Sequence, residues 1–178
     1  MLHSNNNNAN GNANNNAANG NANNTANNAN MTPGADRKPR GLRNNNPLNI
    51  RRTADEWRGM RKKQTDPAFC QFITMAYGWR AALLLLTHTY YRRYRLSTIR
   101  AIITRWAPPT ENNTEAYIQT VADRLGYDPQ MPLGVPADHP DRWMQLALAM
   151  AAVENGVSMK HFETQPLLQG WAMARMMG

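Results

Sequence analysis

The sequence predicts a mainly α-helical domain with one small β element, and two observations support this. From residue 76 onward, apolar residues recur at helical spacing between capping and helix-breaking residues. Between residues 48 and 72, isolated apolar residues are separated by Pro, Gly and charged residues, which is typical of short strands and loops. Strands do not alternate with helices in a repeating order, so an α/β sheet is not expected.

The first 36 residues are expected to form a disordered tail. From Asn5 to Asn30 the sequence is almost only Asn, Ala and Gly, without aromatic or charged side chains. Such a composition cannot bury enough apolar area to offset the entropy of an ordered chain. We therefore place one folded domain at residues 37–178, with order beginning near Gly41.

Five helices are expected in this domain, after a hairpin at residues 48–72. Proline and glycine set several of the helix ends, because proline removes a backbone donor and glycine tolerates the left-handed conformation after a helix. The expected helices cover residues 76–94, a segment capped by Ser97 and stopped by Pro108, a segment from Asn112 to Gly126, a segment from Asp138 to Gly156, and residues 158–177.

Composition and charge restrict the partners. The chain has 20 Lys and Arg against 12 Asp and Glu, a formal net charge of +8, which favours a polyanion such as nucleic acid or an anionic cell envelope. No nucleic-acid-binding motif accompanies the basic runs, so nucleic acid is not the partner we expect. The single cysteine, Cys70, lacks the spacing of a zinc site, and we expect neither a metal nor a cofactor. Neither a membrane-spanning run nor a secretory signal peptide is recognised.

Glu154 is the strongest candidate for a catalytic residue. The sequence has no Ser/His/Asp signature and no glycine-rich phosphate loop, which leaves chemistry by a carboxylate. Glu154 follows a nearly uncharged helical segment and precedes the Asn155-Gly156 stop. Burial and the negative end of the helix dipole would both raise its pKa, as a general acid requires. The alternative is an ordinary exposed glutamate at a helix end.

Two further segments carry candidate sugar-binding side chains. Residues 43–50 are rich in asparagine, whose amide matches sugar hydroxyls and N-acetyl groups, although a plain turn explains the same residues. Residues 106–117 place an aromatic before a rigid loop and a helix start, which suits a groove wall with Glu111 at its opening. Alternatively, Trp106 belongs to the core and Glu111 only supports the helix N-terminus. The binding residues that we expect are Arg43, Asn44, Asn46, Asn49, Phe72, Trp106 and Asn113.

A series of short motifs occurs in fixed order over residues 40–156. They are the run from Arg40 to Ile50, Trp57-Arg58-Gly59, Phe69-Cys70-Gln71-Phe72, Gly78-Trp79-Arg80-Ala81, Arg105-Trp106-Ala107-Pro108, and Glu111-Asn112-Asn113-Thr114 with Tyr117-Ile118. Together they resemble phage and prophage virion proteins assigned to the lysozyme-like superfamily. This resemblance implies a lysozyme-like fold and a role in degrading cell wall.

A more distant resemblance is to flagellar-type glucosaminidases. Residues 46–50 and 57–59 are similar to a strand and a turn of that family, and Tyr117 is similar to its later tyrosine. Residues 147–156 are similar to its catalytic helix, which here stands at the opposite end of the chain. The resemblance implies a circularly permuted order in which Glu154 is the catalytic acid and Tyr117 a further catalytic residue.

We therefore predict an enzyme that cleaves peptidoglycan glycan strands, as a glycosidase or a lytic transglycosylase. One acid suffices if the substrate supplies the nucleophile, whereas an inverting hydrolase needs a second carboxylate about 6.5–9.5 Å away, for which Glu111 is the candidate. The alternative is a virion structural protein with an inactive lysozyme-like fold. The expected partners are peptidoglycan and, through the tail, other virion proteins. The expected location is the virion or the host cytoplasm before lysis, with action in the periplasm.

Overall fold

The structure is a computed structural model that describes residues 38–110 and 112–176. It is mainly α-helical, which confirms the predicted fold class. The predicted tail and Glu111 lie outside the described residues. The helices are α1 (Arg40–Arg43), α2 (Met75–Leu84), α3 (Ile99–Trp106), α4 (Thr114–Leu125), α5 (Pro140–Asn155) and α6 (Thr164–Arg175), with a π-helical segment at Leu85–Arg93 and a 3-10 turn at Met159–His161.

Helix α5 is the centre of the packing. It contacts α1, α2, α4, the π segment and the 3-10 turn. Its alanines at 147, 149, 151 and 152 are buried, and such small side chains let neighbouring elements approach closely. Helices α2 and α6 form a second close pair, in which a Cβ on Gly170 would lie 2.5 Å from the Trp79 Cβ. Any larger residue at position 170 would force these two helices apart.

The segment between α1 and α2 is less regular than the predicted hairpin. Isolated antiparallel bridges join Arg51 to Phe69 and Met60 to Phe72, and the described part of this segment forms no continuous strand. The backbone cannot stay extended here, because Asn45 and Asn49 have φ values of 52° and 50°. Side-chain amides therefore replace part of the missing ladder of backbone hydrogen bonds.

Three predicted helix boundaries needed correction. Thr98, rather than Ser97, caps α3 by accepting a hydrogen bond from the Ala101 amide. Asn113, rather than Asn112, caps α4 in the same way. The predicted helix at residues 158–177 is divided into the 3-10 turn and α6, because Pro166 is compatible only with the first turn of a helix.

The predicted ends of α4 and α5 are confirmed. Gly126 and Gly156 follow these helices in the left-handed conformation, with φ values of 65° and 62°. The predicted helix at residues 76–94 is also continuous, but it changes from α to π hydrogen bonding at Leu85. Over the residues that the structure describes, no helix has the length and apolar content needed to cross a membrane.

Candidate active site at the end of helix α5

Glu154 lies in the last turn of α5 and points into the protein. It continues the buried stripe of Trp143, Ala147 and Met150 along one face of the helix. The residue is 7% exposed, so its carboxyl is largely removed from water. A single acidic side chain is thus placed where the helical pattern otherwise puts apolar residues.

Two aromatic side chains donate hydrogen bonds to the same oxygen of this carboxyl. The indole Nε1 of Trp106, at the end of α3, lies 3.0 Å from Glu154 Oε1. The hydroxyl of Tyr117, in the first turn of α4, lies 2.9 Å from the same atom. An oxygen that already accepts two donors is a poor site for a proton, so the proton of the acid belongs on Oε2.

Two asparagines connect the irregular segment to the end of α5. Asn49 Nδ2 donates to the main-chain carbonyl of Glu154 at 3.2 Å, and Asn155 Nδ2 donates to the carbonyl of Pro47 at 2.8 Å. The last carbonyls of a helix have no partner within it, so the Asn49 bond satisfies one of them. The Oδ1 atom of Asn49 is buried and has no hydrogen-bond partner among the residues that the structure describes. These contacts fix the position of Glu154 relative to residues 47–49.

Burial raises the pKa of Glu154 to about 8, because the ionised carboxylate is poorly solvated in this position. The hydrogen bond from Tyr117 and the nearby side-chain amide of Asn49 act in the opposite direction, but they do not offset the burial. Within the described part of the chain, no cation forms an ion pair with Glu154. Burial and the nearby Glu154 charge raise the pKa of Tyr117 well above its usual value, so its hydroxyl remains a neutral donor. At neutral pH the site therefore holds a protonated acid.

Asn44 and Asn46, two of the predicted substrate-binding residues, make their hydrogen bonds to other groups in the protein interior. Asn46 is fully buried, and its amide donates to the carbonyls of Ile50 and Cys70 and accepts from the Ile50 amide, all at 2.9 Å. Asn44 is 4% exposed and bonds to the side chains of Asp66 and Gln71. Asn46 replaces backbone hydrogen bonds that an irregular segment lacks, and Asn44 is held by two other side chains. Their role in substrate binding stays a prediction.

The two aromatic residues of the predicted binding surface also lie in the interior. Trp106 and Phe72 are 0% exposed, so neither offers a face on which a sugar ring could stack. Phe72 belongs to the core, and Trp106 instead orients Glu154. A buried indole needs an acceptor for its N–H group, and this requirement could have indicated that Trp106 bonds to a buried side chain such as Glu154.

The remaining predicted residues have varied positions. Arg43 is exposed, and its guanidinium donates to the carbonyl of Lys38. Asn113 caps α4 one turn before Tyr117. Asn155 was predicted only as part of a helix stop, and its hydrogen bond to the Pro47 carbonyl was not predicted. No group of three or more His, Cys, Asp or Glu side chains in the described residues could hold a metal ion.

Comparison with known proteins places the chain among phage proteins. No family model matches it. Protein P5 of Pseudoalteromonas phage PM2 is 41% identical to it over 120 residues, which represent 66% of this chain and 71% of that protein. The phage origin in the predicted resemblance is thus confirmed, whereas its lysozyme-like part stays a prediction. The protein belongs to the family of the PM2 phage protein P5.

Proposed function

We propose that this phage protein cleaves the glycan strands of bacterial peptidoglycan, with Glu154 as the general acid. The observation that carries the proposal is the buried Glu154 carboxyl, which is held by Trp106 and Tyr117 and has a pKa of about 8. Burying an acid without a cationic partner is costly, and strongly perturbed carboxyls concentrate at functional sites. The proximity of Glu154, Tyr117 and Asn49 also agrees with the permuted order implied by the resemblance to glucosaminidases.

In the proposed reaction, Glu154 Oε2 gives its proton to the glycosidic oxygen while the bond from that oxygen to C1 breaks. The bonding electron pair leaves with the oxygen, and the negative charge that remains on Glu154 is stabilised by the two donors on Oε1. C1 is then attacked by the 6-hydroxyl of the substrate or by water, whose proton passes to the ionised Glu154, or by the N-acetyl oxygen, whose cyclic adduct water then hydrolyses with Glu154 taking the proton of the water. One protein carboxyl suffices when the substrate supplies the nucleophile. Glu111, the candidate second carboxylate, lies outside the described residues.

Among the predicted binding residues, Asn49 is the one that bonds to Glu154, and because it is 3% exposed a sugar reaches it only after the surrounding side chains move. Its buried Oδ1 atom has no partner among the described residues, and a buried acceptor without a donor is unfavourable. The N–H of an N-acetyl group or a sugar hydroxyl would supply the missing donor. Because the same amide also donates to Glu154, a sugar bound to Asn49 would lie close to the acid.

A virion structural protein without catalytic activity is the second candidate function. The observation that favours it is the loss of Asn44, Asn46, Phe72 and Trp106 from the predicted binding surface. Membership in a phage family fits both candidates, since either protein would act in the virion or in the infected host. The two candidates differ in whether new glycan ends appear in purified cell wall.

Mass spectrometry of muropeptides from digested sacculi separates the candidates. We expect wild-type protein to create new ends, Glu154→Gln to reduce their rate of formation by roughly 10²–10⁴-fold, and exposed Glu163→Gln to cleave as the wild type does. Anhydro ends would indicate a transglycosylase, and new reducing ends would identify the bond that is hydrolysed. The absence of new ends with wild-type protein would support the structural candidate. A folded, fully active Glu154→Gln protein would overturn the catalytic assignment.

A further inference from the structure

An open cavity of about 200 Å³ lies between the π segment, the loop before α5 and α6. A dry cavity of ~150 Å³ in an engineered protein holds benzene, so this volume suits a group as large as a small amino-acid residue. The cavity is separate from the candidate active site. Tyr91 on its wall packs on Trp143 with ring centroids 5.3 Å apart. Trp143 precedes Glu154 on α5 by about 16 Å, at ~1.5 Å of rise per residue.

The cavity wall is positively charged. Arg92 and Arg175 supply the charge, His88 lies beside them, and no carboxylate is among the described residues that line the cavity. Neither Arg92 nor Arg175 forms an ion pair with any residue that the structure describes. Burial, and then the charge of Arg92, lower the pKa of His88. The wall therefore favours an anionic group.

Much of the rest of the wall is apolar. Trp171, Val135, Pro136 and two alanines contribute to it, and Val135 is 46% exposed, so its methyl groups are accessible to a ligand. The π segment brings His88, Tyr91 and Arg92 to the same wall. π-Helical turns are rare and occur frequently at functional sites. The combination of cations with an apolar wall fits a small ligand that has an anionic end and apolar substituents.

We propose that this cavity binds the carboxylate end of a peptidoglycan stem peptide. A stem peptide that ends in D-Ala has a free carboxylate beside methyl side chains. The two arginines and His88 would bind the carboxylate, and the methyl groups would pack on the apolar wall. This inference rests on the proposed function. A glycan strand bound at Glu154 has stem peptides attached to its sugars, and one of these peptides could reach the cavity on the same protein.

Calorimetric titration with short peptides tests the proposal. The probes are Nα,Nε-diacetyl-Lys-D-Ala-D-Ala, its L-Ala-L-Ala counterpart and its C-terminal amide. We expect the free D-Ala acid to bind and its amide to bind at least about tenfold more weakly, because a charged hydrogen-bonded group contributes roughly that factor. The L-Ala counterpart keeps the carboxylate but places its methyl groups on the other side, away from the apolar wall, so it should also bind more weakly than the D-Ala acid. Arg92→Gln and Arg175→Gln should each reduce affinity by a similar factor. Arg93→Gln is the matched control, because Arg93 is exposed on the same π segment but does not line the cavity.

Several results would overturn the proposal. They are an absence of saturable binding at millimolar peptide, equal binding of the amide or of the L-Ala peptide, and an equal loss of affinity in Arg93→Gln. The titration is repeated with Glu154→Gln protein, in which the cavity is intact and the acid is removed. Peptide binding without any glycan cleavage by the wild type would overturn the proposed function and leave the peptide site in place. Glycan cleavage by the wild type without saturable peptide binding would overturn the peptide site and leave the proposed function in place.

Discussion

The segment at residues 44–50 and the last turn of α5 are both polar and both buried, yet their polar groups are satisfied differently. In the segment, Asn46 makes three hydrogen bonds, and all of them end on backbone atoms. At the end of α5, Glu154 accepts two side-chain donors on one oxygen and has no cationic partner among the described residues. The Asn46 amide stabilises the backbone around it, whereas burial of the Glu154 carboxyl costs free energy.

This difference separates structural polar residues from candidate functional ones. A neutral amide with all its hydrogen bonds made costs little to bury, and it stabilises a backbone that lacks regular pairing. A carboxyl is costly to bury even with two donors, and the cost appears as a raised pKa. Burial alone therefore does not identify a functional group in this protein. A more useful criterion is a buried polar group that its surroundings leave in an unfavourable state and that lies beside a buried acid. Glu154 and the Oδ1 atoms of Asn49 and Asn155 meet it, whereas the indole N–H of Trp79, which also lacks a partner among the described residues, does not lie beside an acid.

The largest effect that we expect from this comparison is the loss of stability in Asn46→Ala. The substitution leaves the Ile50 amide and the Cys70 carbonyl without their Asn46 partner in the interior. We expect the free energy of unfolding to fall by roughly 2–4 kcal/mol. Asn49→Gly is the matched control, because glycine accepts the positive φ and only one hydrogen bond of 3.2 Å is lost. It should cost about 1 kcal/mol.

Urea denaturation of both variants measures these costs. If Asn49→Gly destabilises the protein as much as Asn46→Ala does, the distinction between a structural amide and a binding amide fails. In a cleavage assay, Asn49→Gly should be the more affected variant. At a temperature where both variants are folded, Asn46→Ala should retain activity, and Asn49→Gly should show a higher KM because it binds the glycan more weakly.

A smaller effect is expected for Tyr117→Phe. The hydroxyl hydrogen bond lowers the pKa of Glu154, so its removal should raise that pKa further and move the alkaline limb of the pH–rate profile to higher pH. The rate should also fall by about tenfold, since the ionised Glu154 loses one charge-assisted hydrogen bond. Tyr127→Phe, which removes a hydroxyl bonded to Gln145 near the surface, should change neither quantity. An unchanged profile in Tyr117→Phe would show that the hydroxyl does not stabilise the ionised acid.

The sequence allowed the helices and the position of Glu154 to be predicted, because both depend on local patterns. Apolar spacing and the glycines at 126 and 156 define the ends of α4 and α5. The same pattern shows that Glu154 continues an apolar face, and apolar faces are buried. The juxtaposition with Tyr117 could be anticipated only through the resemblance to a known family, since the two residues belong to different helices.

The roles of the asparagines could not be predicted from the sequence. An amide that binds a sugar and an amide that bonds to backbone use the same donor and acceptor atoms. The choice between them depends on whether the surrounding chain forms a regular strand. Here the positive φ values at Asn45 and Asn49 prevent this, and the partners of Asn46 include Cys70, 24 positions away. Trp106 was similarly ambiguous, because its indole suits both a stacking surface and a hydrogen bond to a buried acceptor.

The pKa of Glu154 is the most direct test of the central claim that a protonated acid is held at the end of α5. The sequence contains five glutamates, so carbon NMR of protein labelled at the glutamate carboxyl carbon gives a spectrum that can be followed through a pH titration. The resonance that is absent in Glu154→Gln should keep the shift of a protonated carboxyl at neutral pH and titrate with a midpoint of about 8. A midpoint near ~4.3, the ordinary value for a glutamate, would contradict the account.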